Sequence, residues 1–347
     1  MYGLFAGITT LDVAQLTAGT VRENQKVTSL DQILAAGGPA TNAAVAFSHL
    51  TRAATRAASA SDLNRGANPG GAMASLLVSA IGEGPAAHLI LEDLEAQEVA
   101  LVDCTDYEAE APETTGKLDL TPSVSAILIN AQNNARTVAS TNTRLPLKPE
   151  IALETLEAMG RPQVVLVDGH NPDLAMTVLT IGAPEEGEPF EAQEYKPEYL
   201  RILDGGSWKP WLPTMLGYID VAVISADFLP PGCTNFDDTV AFLKGFGIER
   251  VVRTAGPNPV QWAWLGETGA VTPPAVDAID TLAAGDTFHG AFAWGCAHGL
   301  VNRETTDPSA LIDFSNRIAS LSTTSFGTRA WLGDLENLEA ETARVLS

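Results

Sequence analysis

A carboxylate standing where a helix would otherwise welcome an anion is the most informative feature of this sequence. In DTLAAGDTFHGAF, residues 280–292, Ala283, Ala284 and Gly285 lead straight into Asp286 and an apolar helical pattern. Small side chains there let an anion approach the free backbone N–H groups of the helix's first turn, and the helix dipole favours negative charge at that end. A carboxylate at the same spot makes electrostatic sense if it takes the proton from a hydroxyl attacking a phosphorus held by those N–H groups. Read alone, Asp286 could equally be a helix cap.

A second segment tips that balance. AGGPATNAAVAFSHL, residues 36–50, sets Gly37 and Gly38 before another helical pattern, with Asn42 in its first turn. Two glycines allow close approach of backbone to a ligand, and the Asn42 amide both donates and accepts hydrogen bonds to a hydroxyl. Other chemistries find little support. The five histidines (His49, His88, His170, His289, His298) form no HExxH or HxH pair. Cys104, Cys233 and Cys296 are far apart, against both a disulfide framework and a CxxC zinc site. No GxxxxGK[ST] occurs, which excludes a P-loop kinase.

The two segments together resemble the signatures of the ribokinase-like (PfkB) family of carbohydrate kinases: a GG-containing N-terminal motif ending in Asn and a C-terminal DTxxAGDxF motif, here about 240 residues apart. The likeness extends to a first strand ending near Asp12, to VVRTAGPNPV at 251–260 and to FSNRIASLSTTSFGTR at 314–329. It implies an ATP-dependent kinase acting on a hydroxymethyl group of a sugar, a ketohexose or pentose. Asp286 would be the catalytic base, the N–H groups of Ala283, Ala284, Gly285 and Asp286 the anion hole, and Asp12, Gly38 and Asn42 the holders of sugar hydroxyls. Arg136 matches an arginine that reaches the substrate side in ketohexokinase-like members. Thr254, Gly256 and Asn316 would line the nucleotide pocket. Asp280 and the turn Ser325–Gly327 match a monovalent-cation loop, occupied by K⁺ in some members. Mg²⁺ would arrive with ATP. One departure stands out: where many relatives carry NxxE, this chain reads VISADFLPPG, with Ser225 near the Asn position and Phe228 near the Glu position. That leaves Mg²⁺ mostly water-held and, with LVDGHNP at 166–172 and TRLP at 143–146, leans toward the ketohexokinase-like branch.

Such residues need a frame. Short apolar runs alternate with amphipathic stretches, the signature of βα units around a mainly parallel sheet. The pattern predicts strands at 2–8, 76–81, 164–168, 219–224 and 250–254, and helices at 39–50, 85–97, 150–159, 237–246, 285–298 and 308–322. VSAILIN and RTVASTN, joined by AQNNA, predict a β-ribbon over 123–142, and a second extended stretch lies at 12–30. In the resemblance these correspond to a β-lid that closes over the sugar and forms a homodimer interface. The expected fold is thus a single α/β/α domain over 1–347 with a small β-sheet lid. Residues 51–75, 103–119 and 182–198 read as surface insertions.

Charge and length bound the rest. The 347 residues carry 43 acidic and 20 basic side chains, a net charge of −23, with only six lysines. This argues against nucleic-acid and anionic-membrane partners, which attract basic patches. Apolar runs such as VVLV at 164–167 have strand length, far short of the roughly 20 residues that cross a bilayer. The first residues, MYGLFAGITTLD, lack the basic start of a signal peptide, so a cytoplasmic protein is expected. Two rival readings are kept. Gly82–Ala87 gives a GxGxxA match after a strand with Asp103 about twenty residues on, the outline of a dinucleotide-dependent oxidoreductase, with Glu83 unfavourable beside a pyrophosphate. The altered NxxE region leaves room for a non-catalytic sugar or nucleotide sensor on the kinase fold.

Overall fold

Val164–Val167 and Leu200–Gly205 are buried at every position. Strands of that kind are covered on both faces and belong inside a parallel sheet. The computed structural model describes residues 2–62, 74–111, 118–183 and 196–346. In chain order it contains β1 (Tyr2–Ala6), β2 (Thr10–Thr17), β3 (Asp31–Gly37), α1 (Pro39–Asp62), β4 (Ala74–Ser79), α2 (Pro85–Ala96) and β5 (Val99–Asp103). Then come β6 (Val124–Asn130), β7 (Arg136–Ala139), α3 (Glu150–Met159), β8 (Val164–Val167), α4 (Pro172–Leu179), β9 (Leu200–Gly205) and α5 (Pro213–Leu216). The chain closes with β10 (Val221–Ser225), α6 (Phe236–Lys244), β11 (Arg250–Thr254), β12 (Val260–Trp264), β13 (Glu267–Val271), α7 (Ala284–Ala297), α8 (Ser309–Ser322) and α9 (Leu335–Leu346).

Nine strands form one sheet in the order β13-β12-β11-β10-β9-β8-β1-β4-β5, parallel from β11 to β5, with β12 and β13 antiparallel at one edge. One core packs α1, α2, α7 and α8 on one face; a second packs α3, α4 and α6 on the other. This is the three-layer α/β/α arrangement expected. Helices α1 and α7 cross very closely: a Cβ on Gly290 would lie 2.4 Å from the Ala43 carbonyl oxygen. That approach brings the N-terminal turns of both helices together above the sheet.

The second sheet, β3-β2-β6-β7, is the lid. Residues Arg136–Ala139 return on β6 with Ile129 opposite Arg136, at the position the ribbon pattern gave. The other arm differs from its expected place. Rather than running through 12–30, β2 spans 10–17 and its partner is β3 at 31–37, with Asp12 opposite Ala35. The intervening residues lack the Asn-Gly or Asp-Gly pair of a tight hairpin turn, so they loop out instead of continuing the strand. Of the expected insertions, residues 51–62 continue α1, whereas 63–73, 112–117 and 184–195 lie outside the described residues. Among the described residues no helix is long and apolar enough to cross a membrane.

Candidate active site

The chain turns into α7 through Ala283, which sits in the left-handed region (φ 57°). Only Thr287 reaches back to the Ala283 carbonyl (2.8 Å), and no acceptor among the described residues pairs with the N–H groups of Gly285 or Asp286. These orphan donors are the anion-binding feature of a helix start. A Cβ on Gly285 would meet open space, so the turn is accessible.

Asp286 faces the same opening. Its Oδ2 accepts a hydrogen bond from Asn42 Nδ2 at 2.9 Å. The orientation of that amide is set from behind, because Asn42 Oδ1 accepts from Arg329 Nη1 at 3.2 Å while Arg329 Nη2 pairs with Asp93 Oδ2 at 2.9 Å. Burial pushes the Asp286 carboxyl above the usual carboxylate range; the Asn42 hydrogen bond and the charges of His289 and Arg136 pull it back. Asp12 is also raised by burial, against the hydrogen bond that Thr10 Oγ1 donates to its Oδ1 at 2.8 Å.

Between these groups lies a cavity of about 360 Å³. Asp12, Gly38, Asn42, Ala283 and Asp286 line it, as do Ser125, Ile127, Val138 and Ser140 of the lid and His170 after β8. The two glycines have steric causes. A Cβ on Gly37 would lie 2.1 Å from the Asp12 carboxylate, and Gly38 has φ 101° with the Ile8 carbonyl only 2.2 Å from where its Cβ would be. Asp168, missed by the sequence reading, ties the floor together. Its Oδ2 accepts from Ile8 N at 3.0 Å and its Oδ1 from His170 N at 2.8 Å.

Other expected residues sit around this cavity rather than in it. Arg136 donates through Nη1 to the Thr281 carbonyl at 2.9 Å. Thr254 ends β11, and Gly256 follows in the turn with φ 58°. Asn316 on α8 is buried, and its Nδ2 has no acceptor. Asp280 accepts from Leu282 N (2.8 Å) and Gly327 N (2.9 Å), while the buried Ser325 Oγ lacks a partner. At the missing NxxE, Ser225 Oγ donates to the Gly206 carbonyl at 2.6 Å and Phe228 is buried against Trp208. No carboxylate therefore stands at the Glu position.

Below the first turn of α7 lies a buried pair that the sequence gave no reason to join. His289 places Nδ1 2.7 Å from the Gly285 carbonyl, Nε2 3.0 Å from the Val223 carbonyl, and Nδ1 3.4 Å from Asp204 Oδ2. Burial pushes Asp204 up to about 7, against the attraction of His289. The histidine thus pins the start of α7 to β10. The dinucleotide outline, by contrast, fails sterically. The turn at Gly82 is filled by backbone, since its Cβ would lie 1.9 Å from the Leu120 carbonyl oxygen, which also accepts from Glu83 N at 2.9 Å. Asp103 is spent locally on Ile81 N and Thr105.

A family description and several known proteins resemble this chain. The description "pfkB family carbohydrate kinase" matches residues 4–333. A ribokinase of Staphylococcus aureus is 25% identical over 268 residues, covering 75% of this chain and 80% of that one. The structure of ribokinase from Giardia lamblia superposes with a TM-score of 0.72 at 14% identity, covering 99% of both chains. That of Arabidopsis thaliana ribokinase complexed with ribose and ATP gives 0.62 at 16% identity, covering 97% of this chain and 98% of that one.

Proposed function

From the premise that the chain belongs to the pfkB family of carbohydrate kinases, we propose that it transfers the γ-phosphoryl group of ATP to a hydroxymethyl oxygen of a sugar, a ketohexose or pentose, with Asp286 as general base. The observation that carries this reading is the pairing of Asp286 with unpaired first-turn N–H groups at the edge of a polar cavity. The sugar lies in the cavity, its hydroxyls held by Asp12, Asn42 and the backbone at Gly38. The bond from the sugar oxygen to the γ-phosphorus forms as the bond to the bridging oxygen of ADP breaks, and the hydroxyl proton passes to Asp286. The N–H groups from Ala283 to Asp286 take up the charge on the phosphoryl oxygens. Thr254, Gly256 and Asn316 bound the nucleotide, the orphan amide of Asn316 being the donor available to it. Lid closure from β2, β3, β6 and β7 keeps water from competing for the phosphoryl group.

With no carboxylate at the Glu position, Mg²⁺ comes as part of Mg·ATP, held by phosphates and water. A monovalent cation fits the loop behind the anion hole: Asp280, the Ser325 hydroxyl and the turn at Gly327 would hold it, and the buried, unpaired Ser325 Oγ is an oxygen it would take. It would supply positive charge near α7. Three free thiols favour a reducing compartment, which supports reading it as a cytoplasmic enzyme.

The test is ADP release with Mg·ATP, with and without K⁺, across ketoses, pentoses, sugar acids and nucleosides. One sugar class should stimulate release. Asp286→Asn should still bind sugar and ATP yet lose about 10²–10⁴-fold in turnover, the usual worth of a positioned base. Near-normal turnover in that variant sinks the assignment of Asp286. Binding of sugar and ATP without turnover in the parent protein would favour a sensor, the reading kept open by the buried Phe228.

A further inference from the structure

Beside the sugar cavity opens a second one of about 290 Å³. His170 lines the first and its neighbour Asn171 the second, so the two share a wall. The second is bounded by the chain leaving the lid, from Arg144 to Leu147, and by the start of α4, from Asn171 to Asp173.

Arg144 has an unusual setting there. Its guanidinium carbon lies 3.9 Å from the centroid of the Trp211 ring. Trp211 is fixed in turn by Nε1–H donating to the Gly169 carbonyl at 2.8 Å. Among the described residues no carboxylate forms an ion pair with Arg144. A guanidinium stacked on an indole keeps its in-plane N–H donors pointing outward, oriented in advance for the oxygens of a carboxylate, phosphate or sulfonate.

Two further observations point to a ligand. Lys209, nine-tenths buried, has its Nζ no closer than 3.4 Å to an acceptor, the Ser207 carbonyl. Its charge and that of Arg144 both act on His170, which also feels Asp286. Both cations thus lie close enough to His170, at the wall between the cavities, for their charge to reach it. Asp168 and Asp204 attract Lys209. Asn171 is 4% exposed and its Oδ1 accepts no hydrogen bond, leaving an acceptor for a hydroxyl at the same wall. The one carboxylate in the lining, Asp173, is in the first turn of α4, where it meets that helix's own dipole.

We propose that the second cavity receives an oxyanionic group carried by the sugar itself, at the end remote from the hydroxyl that Asp286 deprotonates, with Arg144 as its chief partner. This rests on the kinase reading above and narrows its substrate to sugar acids, sugar phosphates or sulfonated sugars. The three share one recognition chemistry, and the assay separates them.

The experiment measures ADP release by the full chain with matched neutral and charged acceptors: a ketohexose, its 6-phosphate, its 6-deoxy-6-sulfonate, and a keto-deoxy sugar acid. One charged acceptor should exceed its neutral counterpart by at least about 10-fold in kcat/KM. Arg144→Gln should raise KM for that acceptor by about 10-fold or more, equivalent to roughly 1.4 kcal/mol, leave the KM for ATP unchanged, and abolish the preference over the neutral sugar. Arg144→Lys should recover part of it. A neutral sugar preferred by the parent protein overturns the inference while leaving the kinase reading in place. So does an Arg144→Gln defect that appears in the KM for ATP with every acceptor. If no acceptor is turned over, thermal-shift binding of the same four to Asp286→Asn decides. Arg144-dependent stabilisation by a charged sugar upholds the subsite without the kinase reading; none overturns it.

Discussion

Asp286 is held between two opposed influences, and its titration should report both. Burial raises its carboxyl while the hydrogen bond from Asn42 lowers it. A general base works only when ionised, so activity is lost as pH falls through this raised value. Removing the Asn42 donor removes a lowering influence and moves the value up again. Asn42→Ala should therefore shift the acid limb of kcat/KM to higher pH than in the parent protein, in a profile measured at saturating Mg·ATP. A limb that stays put or moves to lower pH would contradict the pairing. Because burial also raises Asp12, the same profile for Asp12→Asn separates the two carboxyls. Asp286 and Asn42 were readable in the sequence because each stands in a short local pattern whose chemistry is stated by its neighbours, whereas Asp12 was reached only through the family resemblance. Arg329 and Asp93, which orient Asn42, were not. They act across 287 and 236 positions of chain, and no spacing rule links residues so far apart.

At the scale of the element, the start of α7 combines a strained entry with a buried anchor. Ala283 holds a left-handed conformation that costs a non-glycine residue about 1–2 kcal/mol, and His289 fastens the turn that follows to β10. Asp204 beside it makes that anchor sensitive to pH. Its folded value of about 7 lies above the ordinary carboxylate value near 3.9, so between roughly pH 4 and 7 the folded chain holds a proton that the unfolded chain releases. Stability from this group is accordingly fullest at the acid end of that window and falls as pH rises through about 7. Calorimetry from pH 5 to 8 should show a declining melting temperature whose slope is reduced in Asp204→Asn. It should not vanish, since Asp286 and Asp12 shift in the same direction. An unchanged slope would mean that Asp204 is ionised when folded. The elements themselves were legible wherever one face is apolar, as in α1, α3 and β6. Residues 200–205 escaped notice because the buried charges Arg201 and Asp204 interrupt the apolar run that made the equally buried β8 readable. The lid's return strand was misplaced because its position is set by pairing with β2, across a loop with no turn signal of its own.

At the scale of the whole molecule, the net charge and the lid pull in opposite directions. On β6 the burial alternates strictly, with Ser125, Ile127 and Ile129 toward the body and Val124, Ala126 and Leu128 outward. Leu34 on β3 is exposed as well, opposite Val13 of β2. An antiparallel-edged sheet with an apolar outer face is a surface that association would cover, as in the lid-to-lid homodimer that the family resemblance implies. Each copy would carry −23, so such a pair would form against mutual repulsion. Repulsion between exposed charges is screened over about 30 Å at 10 mM salt but about 8 Å at 150 mM, whereas burial of Leu34, Val124 and Leu128 gains nothing from dilution of salt. The dimer should therefore tighten as salt rises over that range, the reverse of an interface held by ion pairs. Sedimentation velocity at the two ionic strengths checks this. Leu128→Asp, which places a charge in the covered face and leaves the cavity side of β6 intact, should give a monomer at both. A parent protein that is monomeric throughout, or a dimer that loosens with added salt, would show that the lid's apolar face does not make the contact.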